Sequence, residues 1–261
     1  MGRVRIGTAA GRRRTAAVVG AGMFALGLVA GCGGGGDDPP VPAAPPVSTS
    51  TTTSSTALAG LTADQVLAKV KTAAQAATSV RVKGEISQQG QKIDIDLKLT
   101  GIARGAGTLT LDGGRIDIVR IGNDIYFKAD EKTLRQTVAQ GDEKLIKLIA
   151  GRYIKASITT PGFENFAGLL DLVAFEKGVL SPDGTISRTA GKPVGGVPTV
   201  GLKDNDAADG GVLYVSDRGE PYPLQIEPAT GPGVVTMSDW NAPVTITAPP
   251  ADQVIDAKSL E

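Results

Sequence analysis

Ile93-Asp94-Ile95-Asp96-Leu97-Lys98-Leu99 alternates aliphatic and charged residues without a break. A strand sends successive side chains to opposite faces, so this stretch reads as a strand with one apolar and one charged side. Two-faced strands of this kind belong to antiparallel sheets with one side in water. The segment before it keeps the same period: Val80, Val82 and Ile86 alternate with Arg81, Lys83 and Glu85. Gln89-Gly90 supplies the turn between them, and the pair reads as a hairpin.

More strands follow on the C-terminal side. Thr108–Leu111, Arg115–Ile121 and Asp124–Ala129 are separated by Asp112-Gly113-Gly114 and Gly122-Asn123-Asp124, which are hairpin turn signals. The middle of the chain is helical in pattern over Glu131–Ala139, Asp142–Ala150 and Phe163–Phe175, with Arg152–Ser157 a strand among them. Strand-like runs then return at Thr185–Thr189, Val197–Lys203, Gly211–Ser216, Leu224–Pro228 and Val234–Ser238. Strands in runs with helices in a block argue an α+β fold, with helices on one face of a large antiparallel sheet. About ten strands twist and curl rather than lie flat.

On the N-terminal side, Thr62 and Gln65 form a capping-box pair ahead of Leu67, Val70 and Ala74, which recur at helical spacing. Before that helix nothing can build a core. Gly33–Gly36, the Pro/Ala-rich Pro39–Pro46 and the Ser/Thr run Ser48–Thr56 have the composition of a disordered tether. The Ser/Thr run also suits an O-glycosylated stalk, a plain spacer being the simpler reading. Further back, Arg3, Arg5, Arg12, Arg13 and Arg14 form a basic head, Thr15–Ala30 an apolar run, and Leu28-Val29-Ala30-Gly31-Cys32 closes it. The run is too short and too rich in Ala and Gly for a spanning helix and reads as a secretory signal. Small residues followed by cysteine resemble the bacterial lipoprotein signal, which implies that Cys32 becomes a lipidated, palmitate-bearing N-terminus. Cys32 is the single cysteine, so it has no internal disulfide partner, and lipidation explains it. The arginine cluster faintly resembles a twin-arginine signal, but the apolar residues after it are weak and the general export route fits better. The expected organisation is a signal peptide over 1–31, a tether over 32–57 and one folded domain over 58–261.

Composition removes several function classes. The chain has no histidine, which excludes Ser-His-Asp triads, His-based proton transfer and His metal ligands. Loss of the five signal arginines leaves 22 basic against 27 acidic residues, a net charge of about −5, which does not favour nucleic acid. Asp204–Gly210 glances at a calcium loop, but its glycine is one place late and Val215 stands where the closing Glu belongs. A hairpin loop is the better reading. Asp94 and Asp96 share their strand face with Lys92 and Lys98, which marks a solvated surface. No nucleophile elbow, Ser-x-x-Lys or P-loop motif is found, and neither a catalytic residue nor a cofactor or metal ligand is expected. What remains is a surplus of Leu, Ile and Val over five Phe, four Tyr and one Trp. These residues can pack solid or line a cavity, and periodicity does not separate the two.

The order of motifs resembles the actinobacterial LppX/LprG/LprA/LprF lipoprotein family. The resemblance rests on the lipobox and tether followed by the helix Leu61–Ala77, and on Gly122-Asn123-Asp124-Ile125-Tyr126-Phe127. It continues through Val197-Pro198-Thr199-Val200-Gly201-Leu202, Leu213-Tyr214-Val215 and Gly219-Glu220-Pro221-Tyr222-Pro223-Leu224. It ends at Val235-Thr236-Met237-Ser238-Asp239-Trp240, and covers roughly 58–250. It implies a half-barrel antiparallel sheet with helices on its concave face, similar to the LolA/LolB carriers. It also implies a space between sheet and helices that holds acyl chains of a lipid or glycolipid. The segment Glu131–Ala150 is more charged than the family's helical lid, which leaves the lid and the ligand undefined.

The expected function is that of a lipoprotein on the outer face of the cell membrane, anchored through a diacylglycerol-type group on Cys32. It would bind and ferry a lipid, with an envelope transporter or acceptor as partner. Candidate lining residues are Ile93, Ile95, Leu97 and Leu99, with Ile116, Ile118, Val235 and Met237 from other strands. Phe166, Leu169, Leu170 and Val173 would come from the covering helix. The alternatives are a ligand-free envelope interaction module with a solid core, and a hydrolase using Ser, Asp, Lys or Tyr.

Overall fold

The computed structural model describes residues 58–88, 91–137, 142–160, 168–206, 210–229 and 233–260. Cys32, the expected signal and tether, and Phe166 lie outside the described residues.

The domain opens with helix α1, Ala63–Gln75. The expected capping box forms: the Gln65 N–H donates to Thr62 Oγ1 (3.3 Å) and the Thr62 N–H donates to Gln65 Oε1 (2.9 Å). Five strands follow as a meander: β1 Ser79–Gln88, β2 Gln91–Thr100, β3 Arg104–Leu111, β4 Gly114–Ile121 and β5 Asp124–Ala129. Helices α2 Glu131–Thr137 and α3 Glu143–Ile149 lead to β6, Tyr153–Ser157, and helix α4 spans Leu172–Val179. A second meander holds β7 Ile186–Thr189, β8 Thr199–Asp204, β9 Gly211–Ser216, β10 Pro223–Pro228 and β11 Val235–Ser238; β12, Val254–Asp256, comes last.

Among the described residues twelve strands form one open sheet in the order β12-β6-β5-β4-β3-β2-β1-β11-β10-β9-β8-β7. Every pairing is antiparallel except β12 with β6. The two meanders join where β1 pairs with β11, with Val82 opposite Met237. Strand β12 was not expected from sequence, because three residues show no period. The Asp112-Gly113 turn has positive φ at both residues (51° and 74°), the conformation that a two-residue hairpin demands.

Register collects the apolar residues on one side. Leu97 stands opposite Val82 and Gly107, Gly107 opposite Ile118, and Ile118 opposite Phe127. The helices cover this concave side, in line with the expected fold class. The central strands pack against Leu170 and Leu172; α1 packs against Leu180, Val200, Leu202 and Val215; Leu134, Ile146 and Ile149 pack against Ile154. Contact with the cover is close at Gly105, where an added Cβ would lie 2.9 Å from the Leu170 carbonyl oxygen.

The other side of the sheet is the charged one. Asp96 accepts two hydrogen bonds from Arg81 (2.9 and 2.8 Å), which hold its carboxyl below the usual range. Lys92 pairs with Glu85, Lys128 with Asp117 and Lys155 with Asp124. The reading of Asp94 and Asp96 as a solvated strand face therefore matches their position.

The expected helix Phe163–Phe175 is corrected in its described part. The chain turns at Leu170, and Asp171 starts a new helix by accepting the Ala174 N–H (3.0 Å) on its side chain. Competition from a short carboxylate for backbone N–H groups makes Asp a helix starter rather than an interior residue.

Candidate functional site: two hollows under helix α4

Ten of the twelve sequence-derived lining residues come together. Ile95, Leu97, Leu99, Ile118, Leu170 and Met237 are buried in one cluster, and Ile93, Ile116, Leu169 and Val235 pack against it. Leu97, Leu99 and Leu170 have no exposed surface at all. This part of the concave face is filled by its own side chains. Phe166 is outside the described residues. Val173 does not join the cluster. Because Asp171 restarts the helix, the inward positions are Leu172, Phe175, Glu176 and Val179, and Val173 is 53% exposed.

The open space lies farther along the sheet. Where the core cluster ends, a cavity of about 330 Å³ sits between α1, the end of α4 and strands β7–β10. Leu67, Val179, Ile186, Leu202, Leu213 and Ile226 give it apolar walls; Ser181, Asp183 and Asp204 stand among its lining. Val179, Leu213 and Ile226 also pack against the core cluster, so the cavity continues the core rather than standing apart from it. Its size is at the lower end of the range for small-molecule pockets. The side of the cavity is built by Asp204, whose carboxylate accepts the N–H groups of Asp183 (3.1 Å), Gly184 (3.1 Å) and Asp206 (3.0 Å). That work leaves Asp204 as a loop organiser within the β8–β9 hairpin rather than the start of a calcium site.

A second hollow, also about 330 Å³, lies between α1 and α4 and is lined by Lys71, Gln75, Val173, Glu176, Lys177, Leu180 and Ser181. Ser181 lines both hollows. Glu176 is 7% exposed, and its Oε1 has no hydrogen-bond partner among the described residues. Burial pushes its carboxyl up to about 7. A wider hollow of about 550 Å³ on another flank of α1 is lined by Leu58, Ala68, Ala73, Ala76 and Pro221 together with Lys69, Thr72 and Glu220.

Helix α4 is fixed at its start by a single carboxylate. Asp171 Oδ2 accepts the Ala103 N–H (3.0 Å) and an Arg120 Nη1 hydrogen bond (3.4 Å), while Oδ1 caps the helix. Arg120 and Asp171 side chains are only 9% and 13% exposed. Asp171, Arg120 and Glu176 were not expected from the sequence as site residues. The signal for Asp171 is present: an Asp just before Leu172-Val173-Ala174-Phe175 is an N-cap pattern.

No family model and no curated protein sequence matches the chain. Solved structures do. LprF from Mycobacterium bovis superposes with a TM-score of 0.50 at 14% identity, over 72% of this chain and 96% of LprF. This chain shares the fold of LprF. LppX from Mycobacterium tuberculosis follows with a TM-score of 0.43 at 14% identity, over 70% and 99% of the two chains. A LolA superfamily protein from Nitrosomonas europaea gives 0.24 at 12%, over 74% and 96%. The resemblance expected from the sequence is thus met at the level of fold by LprF; identities this low speak for fold alone, and the two weaker superpositions add nothing to it. Among the described residues no helix is long and apolar enough to cross a membrane.

Proposed function

We propose that this protein is a lipoprotein, anchored to the outer face of the cell membrane through Cys32, that binds a lipid or glycolipid and ferries it within the envelope. The observation that carries the reading is the cavity between α1, α4 and β7–β10, where aliphatic walls meet a polar side, in a domain with the LprF fold. Each acyl methylene buried there contributes roughly 0.8 kcal/mol, so affinity needs few directional contacts. Val179, Leu213 and Ile226, which also pack against the cluster around Leu97, form the wall between core and cavity, and the polar head stays toward Ser181. An envelope transporter or acceptor is the partner that loading and release require. The reading is non-catalytic.

The test is extraction of the full chain, purified from a lipid-rich host, followed by mass spectrometry. Wild type is expected to carry lipid. Leu213→Trp, which fills the cavity, is expected to stay folded and carry none. A wild-type protein without lipid overturns the reading. The solid packing of Leu97, Leu99 and Leu170 favours one second reading, a ligand-free interaction module, and that result would support it.

A further inference from the structure

We propose that the hollow between α1 and α4 is a headgroup site for anionic phospholipids, whose phosphate has no cation of its own in the head. The proposal rests on the lipid-binding reading above and names the class of head that the same cavity system accepts. Three observations support it. The first is position: Ser181 lines both hollows, so a chain in the apolar cavity and a head between the helices meet at one residue. The second is charge. Lys71 and Lys177, which line the hollow, form no ion pair among the described residues. The third is the buried Glu176 carboxyl, whose Oε1 lacks a hydrogen-bond partner in the same hollow.

Together these groups suit one chemistry. Two ammonium groups supply positive charge, while the Gln75 amide and the Ser181 hydroxyl supply further donors. A protonated Glu176 is a donor as well, and its burial favours that form. A phosphocholine or phosphoethanolamine head carries its own cation beside its phosphate, so it brings no net charge to the two lysines and is disfavoured. A bare sugar would leave both ammonium groups uncompensated. A phosphate compensates them and accepts from every donor. Val173 and Leu180 flank the hollow and suit the first methylenes of a glyceride.

The experiment uses the full chain and neutral phosphatidylcholine vesicles doped with fluorescent phosphatidylglycerol or with fluorescent diacylglycerol of the same acyl chains. Uptake from the vesicles is measured, and inorganic phosphate is titrated separately by calorimetry. The double variant Lys71→Ala/Lys177→Ala is expected to take up phosphatidylglycerol about tenfold less tightly, since each exposed ammonium contributes modestly, and diacylglycerol unchanged. Glu176→Gln, which keeps a donor, is expected to retain phosphatidylglycerol. Equal affinity of the double variant for phosphatidylglycerol overturns the headgroup site, and so does an equal loss for both lipids. Inorganic phosphate bound as tightly as the lipid assigns the site to free phosphate and overturns it as well. These outcomes leave the acyl cavity standing if Leu213→Trp loses both lipids. Wild type that takes up neither lipid overturns the lipid-binding reading and the headgroup site together.

Discussion

Glu176 is a buried carboxyl without a partner on its Oε1, and its replacement by Gln makes a quantitative test of the α1–α4 packing. Its carboxyl is pushed up to about 7 from an ordinary 4.5 by burial alone. The sign follows from linkage. Below pH 4.5 the carboxyl is protonated in folded and unfolded chains alike and costs nothing. Between pH 4.5 and 7 the unfolded chain ionises while the folded one stays protonated, so stability falls as pH rises. Above pH 7 the folded form ionises too and the loss levels off. At 1.36 kcal/mol per pH unit, the separation of about 2.5 units amounts to about 3 kcal/mol. Gln has nearly the same shape and does not titrate. Urea unfolding of wild type and Glu176→Gln across pH 4 to 8 measures the difference. Asp96, Asp130 and Glu227, whose carboxyls are all lowered, contribute a rise with pH that is common to both proteins and cancels. The variant is expected to gain about 2–3 kcal/mol on wild type between the two ends. Parallel profiles would refute the burial of this carboxyl.

Two further outcomes test the frame around it. Leu97→Asp places a carboxylate in the filled part of the concave face, where Leu97 has no exposed surface, and is expected to unfold the domain at a cost of several kcal/mol; a mutant with wild-type circular dichroism and melting would show that this face is not packed. Asp171→Ala removes the cap of α4 and leaves the buried Arg120 guanidinium without that carboxylate, with an expected loss of about 3 kcal/mol; hydrogen exchange should rise first over Leu172–Val179, and unchanged protection there would show that the helix does not depend on this residue.

Much of the frame was readable in the sequence because its strands are two-faced. Ile93–Leu99 encodes its own inner and outer sides, and register with Val82, Gly107 and Met237 only extends them. The site was less readable. Periodicity says which residues face inward, but not where the helices above them stop. The strand residues around the cavity, Ile186, Leu202, Leu213 and Ile226, have the same inward alternation as those of the filled core. What separates them is that Leu170 and Leu172 lie over the central strands, seated on glycine at Gly105, whereas among the described residues no such side chain fills the space past Val179. Val173 lines the hollow between α1 and α4 rather than joining the core cluster, for a local reason. A continuous helix through Phe175 would put it beside Leu169 and Leu170; the side-chain cap at Asp171 restarts the turn and rotates it outward.

That same restart explains why a carboxyl is buried at all. Once the helix begins at Leu172, spacing of three, four and seven turns Phe175, Glu176 and Val179 inward together. Two charged residues near the helical cover are thereby buried, and they differ in kind. Arg120 is answered by Asp171, and their pairing ties helix to sheet. Glu176 is answered by nothing on its Oε1, although a leucine there would remove the cost. Against a total stability of roughly 5–15 kcal/mol for an ordinary domain, a local loss of about 3 kcal/mol at neutral pH is large. Departures of this size from good packing concentrate where a protein binds something.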